Sequence, residues 1–204
     1  MSAQWAFTST YVVLERDNVD TDQIIPARFL TTTDRDGLGP SAFFDWRHRA
    51  DGSVNPAFVL NTPAARGAEV LVAGHNFGCG SSREHAVWAL AGAGFRVVVS
   101  SSFADIFRGN ALGNGMLPIE VHADVLARLM AEYVSGAQVF VDLEAGTLTL
   151  SSGLVVSFSI PPFSRYCLLH GTNEMQYLVD AAADIAAYER RHPGTIDTRH
   201  EEAA

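Results

Sequence analysis

The sequence predicts an α/β domain: a mixed, partly parallel sheet flanked by helices, with β-hairpins appended. Three observations predict it. Between Glu69 and Tyr133, short apolar or β-branched runs alternate with stretches of helical periodicity, and the order strand, helix, strand, helix, strand calls for parallel pairing with right-handed crossovers. From Gln138 the pattern changes to short β-rich runs divided by Ala145-Gly146 and Ser152-Gly153, which mark antiparallel hairpins. At 204 residues, with 48% hydrophobic and 18% charged content, the chain can fill one substantial core.

The elements follow in order. Thr10 to Leu14 reads as a strand, followed by Asp17-Asn18-Val19-Asp20-Thr21-Asp22-Gln23-Ile24-Ile25-Pro26, an acidic turn running into an apolar pair stopped by proline. Its three aspartates lack the glycine and glutamate that an EF-hand places at its sixth and twelfth positions, so turn chemistry and backbone capping are their expected use. From Arg28 to Pro63 no regular period is visible, and Phe29, Phe43, Phe44 and Trp46 interrupt a stretch rich in Thr, Asp, Gly and Pro. A loop of this length in a compact domain is usually functional or partner-bound, and the aromatics argue against complete disorder.

Glu69 to Ala73 is a buried strand, Glu84 to Ala91 a helix, Arg96 to Ser100 a strand, Phe103 to Leu112 a helix and Met116 to Val121 a strand. A helix over Asp124 to Tyr133 carries Val125, Leu126, Leu129 and Met130 on one face. The hairpin strands are Gln138–Leu143, Thr147–Leu150 and Leu154–Ile160. Past Pro161-Pro162, a helix from Asn173 to Arg191 sets Met175, Leu178, Ala182, Ile185 and Glu189 on one stripe, which predicts packing on the chain's own core. The polar tail Gly194 to Ala204 reads as frayed.

The glycine-rich segment Gly74-His75-Asn76-Phe77-Gly78-Cys79-Gly80-Ser81-Ser82-Arg83-Glu84-His85 lies at a strand-to-helix turn and is the candidate active site. Helix starts carry unpaired N–H groups and a partial positive charge, which suits them to anions. Ser81 and Glu84 have capping-box spacing, so a purely structural role is open. A cap needs only one hydroxyl, however, and gains nothing from Ser82 and Arg83 beside it. The planar fork of Arg83 suits two-point binding of a carboxylate.

A formal charge of −9 and a pI near 5.1, with no cluster of Lys and Arg, exclude a nucleic-acid surface. Met1 to Thr10 lacks the pattern of a signal peptide and no run approaches transmembrane length, so a cytoplasmic chain is expected. Cys79 and Cys167 are far apart and outside any metal-ligand spacing, so neither a structural zinc nor a self-contained iron–sulfur cluster is expected on this chain, nor a disulfide in that compartment.

Asn18 to Pro26, Asn76 to Ala86, Ser102 to Phe107 and Asn114 to Ile119, continuing into Cys167-Leu168-Leu169 and Ala186-Ala187-Tyr188-Glu189, are similar in content and order to the small subunits of 3-isopropylmalate dehydratase, in the aconitase superfamily. The resemblance implies a swivelling β/β/α domain over residues 1–165, with residues 166–204 as a helical extension packed on it. It implies a large-subunit partner carrying a [4Fe–4S] cluster, with no cofactor bound by this chain. The implied reaction is a hydro-lyase isomerisation of 2-isopropylmalate and 3-isopropylmalate in leucine biosynthesis.

In the same resemblance Ser81 is the base that removes the carbon-bound proton, and Gly80, Ser82 and Arg83 bind the substrate, with Gly78 and Gly80 letting the backbone approach it. The loop after Pro26 reaches toward the substrate's variable group. Arg28 and Arg35 are the only cations in residues 17–46, and Arg35 is the chosen carboxylate contact. Where the family often has basic residues after the Phe-Leu pair this chain has Thr31-Thr32-Thr33, so a paralogue acting on another 2-alkylmalate, citraconate or homoaconitate is the alternative. A non-catalytic anion-binding domain and a hydrolase with Cys79 as nucleophile are further readings, the latter opposed by a helix that starts beyond Ser81 and by the lack of an activating dyad. The role of His85 is left open, with a structural one favoured.

Overall fold

The computed structural model describes residues 5–31 and 34–192. Four parallel strands form one half of a seven-stranded sheet: β1 (Ala6–Leu14), β2 (Val70–Ala73), β3 (Val97–Ser100) and β4 (Leu117–Glu120). Antiparallel β5 (Gln138–Asp142), β6 (Thr147–Thr149) and β7 (Val155–Ser157) complete it, in the order β4-β3-β2-β1-β5-β6-β7. This is the mixed, partly parallel sheet with hairpins that the sequence predicts. Pro118, which cannot donate to a ladder, sits in β4 at the sheet's edge.

The parallel strands are short and buried because both faces are covered. Side chains alternate across the pleat and so feed two cores. Val12, Leu14, Leu71, Ala73 and Val98 enter one, with α3 (Glu84–Gly92) and α4 (Asp105–Gly113). Tyr11, Val13, Val70, Val72, Val97 and Val99 enter the other, with α5 (Ala123–Ala131) and the hairpin strands. Burial of the Tyr11 phenol, with the Glu132 charge nearby, pushes its pKa to about 12, and its hydroxyl donates to the Leu129 carbonyl at 3.0 Å.

The irregular segment from Arg28 to Pro63 packs through its aromatics. Phe43 is fully buried and stacks on Trp46, which lies in the short helix α2 (Phe44–Arg47), at 5.6 Å between ring centroids, with Phe58 tilted against both rings. Burying one such ring contributes about 2–3 kcal/mol. Thr32 and Thr33, part of the Thr31-Thr32-Thr33 departure, lie outside the described residues.

The structure departs from the sequence reading in the C-terminal region. A helix α6 (Pro162–His170) was not anticipated, because Pro161-Pro162 reads as a breaker, whereas Pro162 takes the first helical position, where its missing N–H costs nothing. The first compact unit runs to Gly171 and contains the whole of α6. Cys167 and Leu168 are buried, and Trp5 Nε1 donates to the Leu168 carbonyl at 2.7 Å. In the second unit, the helix expected over Asn173–Arg191 is two, α7 (Glu174–Asp180) and α8 (Ala182–Arg191), breaking at Ala181. Within this unit Met175, Leu178 and Ile185 are exposed. The polar tail from Gly194 lies outside the described residues. Among the described residues no helix is long and apolar enough to cross a membrane.

Candidate active site

The site is built where the loops leave the carboxyl ends of parallel β1, β2 and β3, the edge at which open α/β sheets hold ligands. The loops are tied to one another through their backbones. Asn18 N–H donates to the His75 carbonyl at 2.7 Å, Gly78 N–H to Val19 O at 2.8 Å and Thr21 N–H to Cys79 O at 2.9 Å. On the other side Phe77 N–H donates to Ser102 O at 3.0 Å and Ala104 N–H to Phe77 O at 3.1 Å. Side chains add to this: Asp17 accepts from His75 N–H at 2.7 Å and Thr21 Oγ1 donates to the Ser81 carbonyl at 2.9 Å. Asn18 and Asn76, both with left-handed backbones, are joined side chain to side chain at 2.9 Å.

The acidic turn is capping chemistry, as its sequence predicts. Asp20 caps the short helix α1 (Thr21–Ile24) and forms a capping box with Gln23. Gly78 and Gly80 have φ of +75° and +89°. A Cβ on Gly78 would lie 2.2 Å from Phe107, and one on Gly80 would lie 2.3 Å from the Asp20 carboxylate. The protein itself therefore requires glycine at both positions, whatever approaches from outside.

The predicted Ser81–Glu84 capping box does not form. Helix α3 begins at Glu84 with Arg83 at the N-cap position and no side-chain cap. Ser81 therefore lies two residues before the cap, too far back to reach the third helical N–H. Glu84 instead accepts from Asn114 Nδ2 at 2.7 Å. The serines are thereby free: Ser81 and Ser82 are exposed, and among the described residues neither hydroxyl has a hydrogen-bond partner.

Arg83 is largely buried and forms an ion pair with Asp22, a partner that the turn-chemistry reading of the aspartates missed. One guanidinium nitrogen is engaged in that pair, which leaves other donors of the fork. Arg28 is committed elsewhere, paired with Asp45 through both nitrogens and lying over the Phe29 and Phe44 rings. Arg35, by contrast, has no carboxylate partner among the described residues and lies over the Trp88 indole, with Cζ 5.5 Å from the ring centroid. The structure thus brings Gly80, Ser81, Ser82 and Arg83 onto one turn and sets Arg35 on the flank of α3, about one turn along from its start.

His85 packs its ring on Trp88 at 4.6 Å. Burial, together with the Asp20 charge, pushes the Cys79 thiol up, which disfavours the thiolate a cysteine nucleophile needs. Iron–sulfur clusters are held by cysteine thiolates. The chain has two cysteines, of which Cys167 is buried in α6 and Cys79 holds its proton, and among the described residues no group of three or more His, Cys, Asp or Glu converges. These residues do not fit such a cluster.

Residues 7–124 match the model of the aconitase C-terminal domain. Over 181 residues the chain is 58% identical to the 3-isopropylmalate dehydratase small subunit of Anaeromyxobacter dehalogenans strain 2CP-C, an alignment covering 89% of this chain and 94% of that one. The chain belongs to this family. The small subunit of Chloroflexus aurantiacus strain J-10-fl is 50% identical over 194 residues, with 94% and 96% of the two chains covered. The solved structure of 3-isopropylmalate dehydratase from Methanocaldococcus jannaschii superposes with a TM-score of 0.65 at 29% identity, covering 90% of this chain and 99% of that one. Membership in a small-subunit family implies a large-subunit partner.

Proposed function

We propose that this chain is the small subunit of a 3-isopropylmalate dehydratase, a hydro-lyase that interconverts 2-isopropylmalate and 3-isopropylmalate by loss and return of water in leucine biosynthesis. The observation that carries the reading is the Gly80–Arg83 turn, where two unpartnered hydroxyls stand beside an arginine at an uncapped helix start. Ser81 Oγ takes the carbon-bound proton. An alkoxide is costly, and the positive end of the α3 dipole together with the Arg83 charge, two residues along the chain, would stabilise one. Ser82, the Gly80 backbone and the remaining donors of Arg83 hold a substrate carboxylate, and Arg35 holds a second contact from the loop.

Ser81 is exposed on this chain. In open water that stabilisation would be screened, so the chemistry requires a surface that covers the turn and excludes solvent. A large subunit supplies that cover. It also carries the [4Fe–4S] cluster, which contributes Lewis-acid chemistry toward the substrate's oxygens. The complex works in the cytoplasm.

Reconstitution tests the reading. This chain alone turns over nothing, and adding a cluster-loaded large subunit gives activity on 3-isopropylmalate above that on citraconate and homoaconitate. Turnover by the isolated chain, or preference for one of the other diacids, overturns the assignment.

A further inference from the structure

Helix α3 carries the serine turn at its start and a loop along its flank, and the two are joined at one side chain. Trp88, half-buried one turn into the helix, presents its indole face to Arg35 at 5.5 Å. Its Nε1 donates to Asn114 Oδ1 at 2.8 Å, and Asn114 Nδ2 donates to the Glu84 carboxylate at 2.7 Å, in the first turn of α3. Four residues beyond Arg35, Gly39 lies against Gly92, four residues beyond Trp88, so closely that a Cβ on Gly39 would fall 2.2 Å from the Gly92 carbonyl oxygen. The segment from Arg35 to Gly39 therefore runs along the helix, pinned at both ends. Between the pins, Arg35, Asp36, Trp88 and Asn114 line a pocket of about 290 Å3.

A guanidinium over an aromatic face is attracted to it without spending its N–H donors, which stay available to a carboxylate. Asp36, which shares the pocket, forms no ion pair with it among the described residues. We propose that Trp88 is a positioning residue for substrate binding, holding Arg35 in place and tying it through Asn114 to the helix start that bears Ser81. This rests on the role of Arg35 under the proposed function.

The test uses the reconstituted complex. Trp88→Leu raises KM for 3-isopropylmalate about fivefold, the scale of a lost cation–π contact, with kcat little changed. Trp88→Phe keeps an aromatic face and restores KM toward wild type. Arg35→Gln raises KM at least as much, and adding Trp88→Leu to it changes nothing further, because the indole acts through the arginine. If Trp88→Leu raises KM by the same factor with Arg35 present or absent, or lowers kcat and thermal stability alone, the indole is only packing and the proposal falls. A wild-type complex with no turnover is a different result: it overturns the proposed function. The anchoring is then read from a thermal-denaturation cycle on this chain, where zero coupling between Arg35 and Trp88 overturns it as well.

Discussion

Helices α1 and α3 start next to each other, joined by the bond from Thr21 Oγ1 to the Ser81 carbonyl, and they are finished in opposite ways. At α1 the protein satisfies itself: Asp20 accepts from Asp22 N–H at 2.6 Å, and Gln23 reaches back to Asp20 N–H at 2.9 Å. At α3 no side chain caps the helix, and the two hydroxyls that precede it point to no protein partner among the described residues. A helix start that is closed internally has nothing left to offer a ligand. One that is left open, beside an arginine, is chemically available. The two turns are one assembly in which the first supports the second.

That contrast is open to attack by substitution. Ser81→Ala lowers turnover of the reconstituted complex about 10³-fold. Because Ser81 caps nothing, the same change shifts the chain's stability by less than about 0.5 kcal/mol; a loss of cap size in thermal denaturation would break the contrast. Arg83→Lys keeps the charge and loses the fork, so KM rises roughly tenfold or more in steady-state kinetics while the two subunits still co-elute. Asp20→Ala removes the closed cap and costs about 1 kcal/mol of stability, read as a lower Tm, with a smaller effect on turnover than Arg83→Lys.

The smallest effect is expected at Cys79→Ser, which leaves turnover intact. The Cys79 thiol is pushed up by burial, so in the native chain it alkylates slowly at neutral pH. The folded thiol holds its proton more tightly than the unfolded one. Its contribution to stability is thus complete below the ordinary thiol range and is lost as pH rises through the folded value. Rapid alkylation at neutral pH would contradict the burial that causes the shift.

Much of this was legible in the sequence for a physical reason: periodicity reports burial, and the strands and helices from Glu69 to Tyr133 are paid out in runs whose faces differ. Helix starts were less legible. Ser81 and Glu84 have capping spacing, but spacing does not say where the helix begins, and a start at Glu84 puts the serine out of reach. The glycines were visible, their reason was not, since Phe107 and Asp20 meet Gly78 and Gly80 only after the chain has folded. The same holds for the Asp22–Arg83 pair and for Arg35 on Trp88, contacts between distant segments that no local pattern announces. At the C-terminal end the apolar spacing from Met175 to Ile185 gave no sign of the break at Ala181.

The contact between Gly80 and the Asp20 carboxylate has a consequence for how this chain exchanges sequence with its relatives. Two stretches far apart along the gene, one acidic and one rich in glycine and serine, are shaped against each other to within an atom's width. A chimaera whose crossover falls between them inherits half of a fitted pair, and one that takes both from the same parent keeps it whole. For recombination, the two stretches behave as a single heritable block.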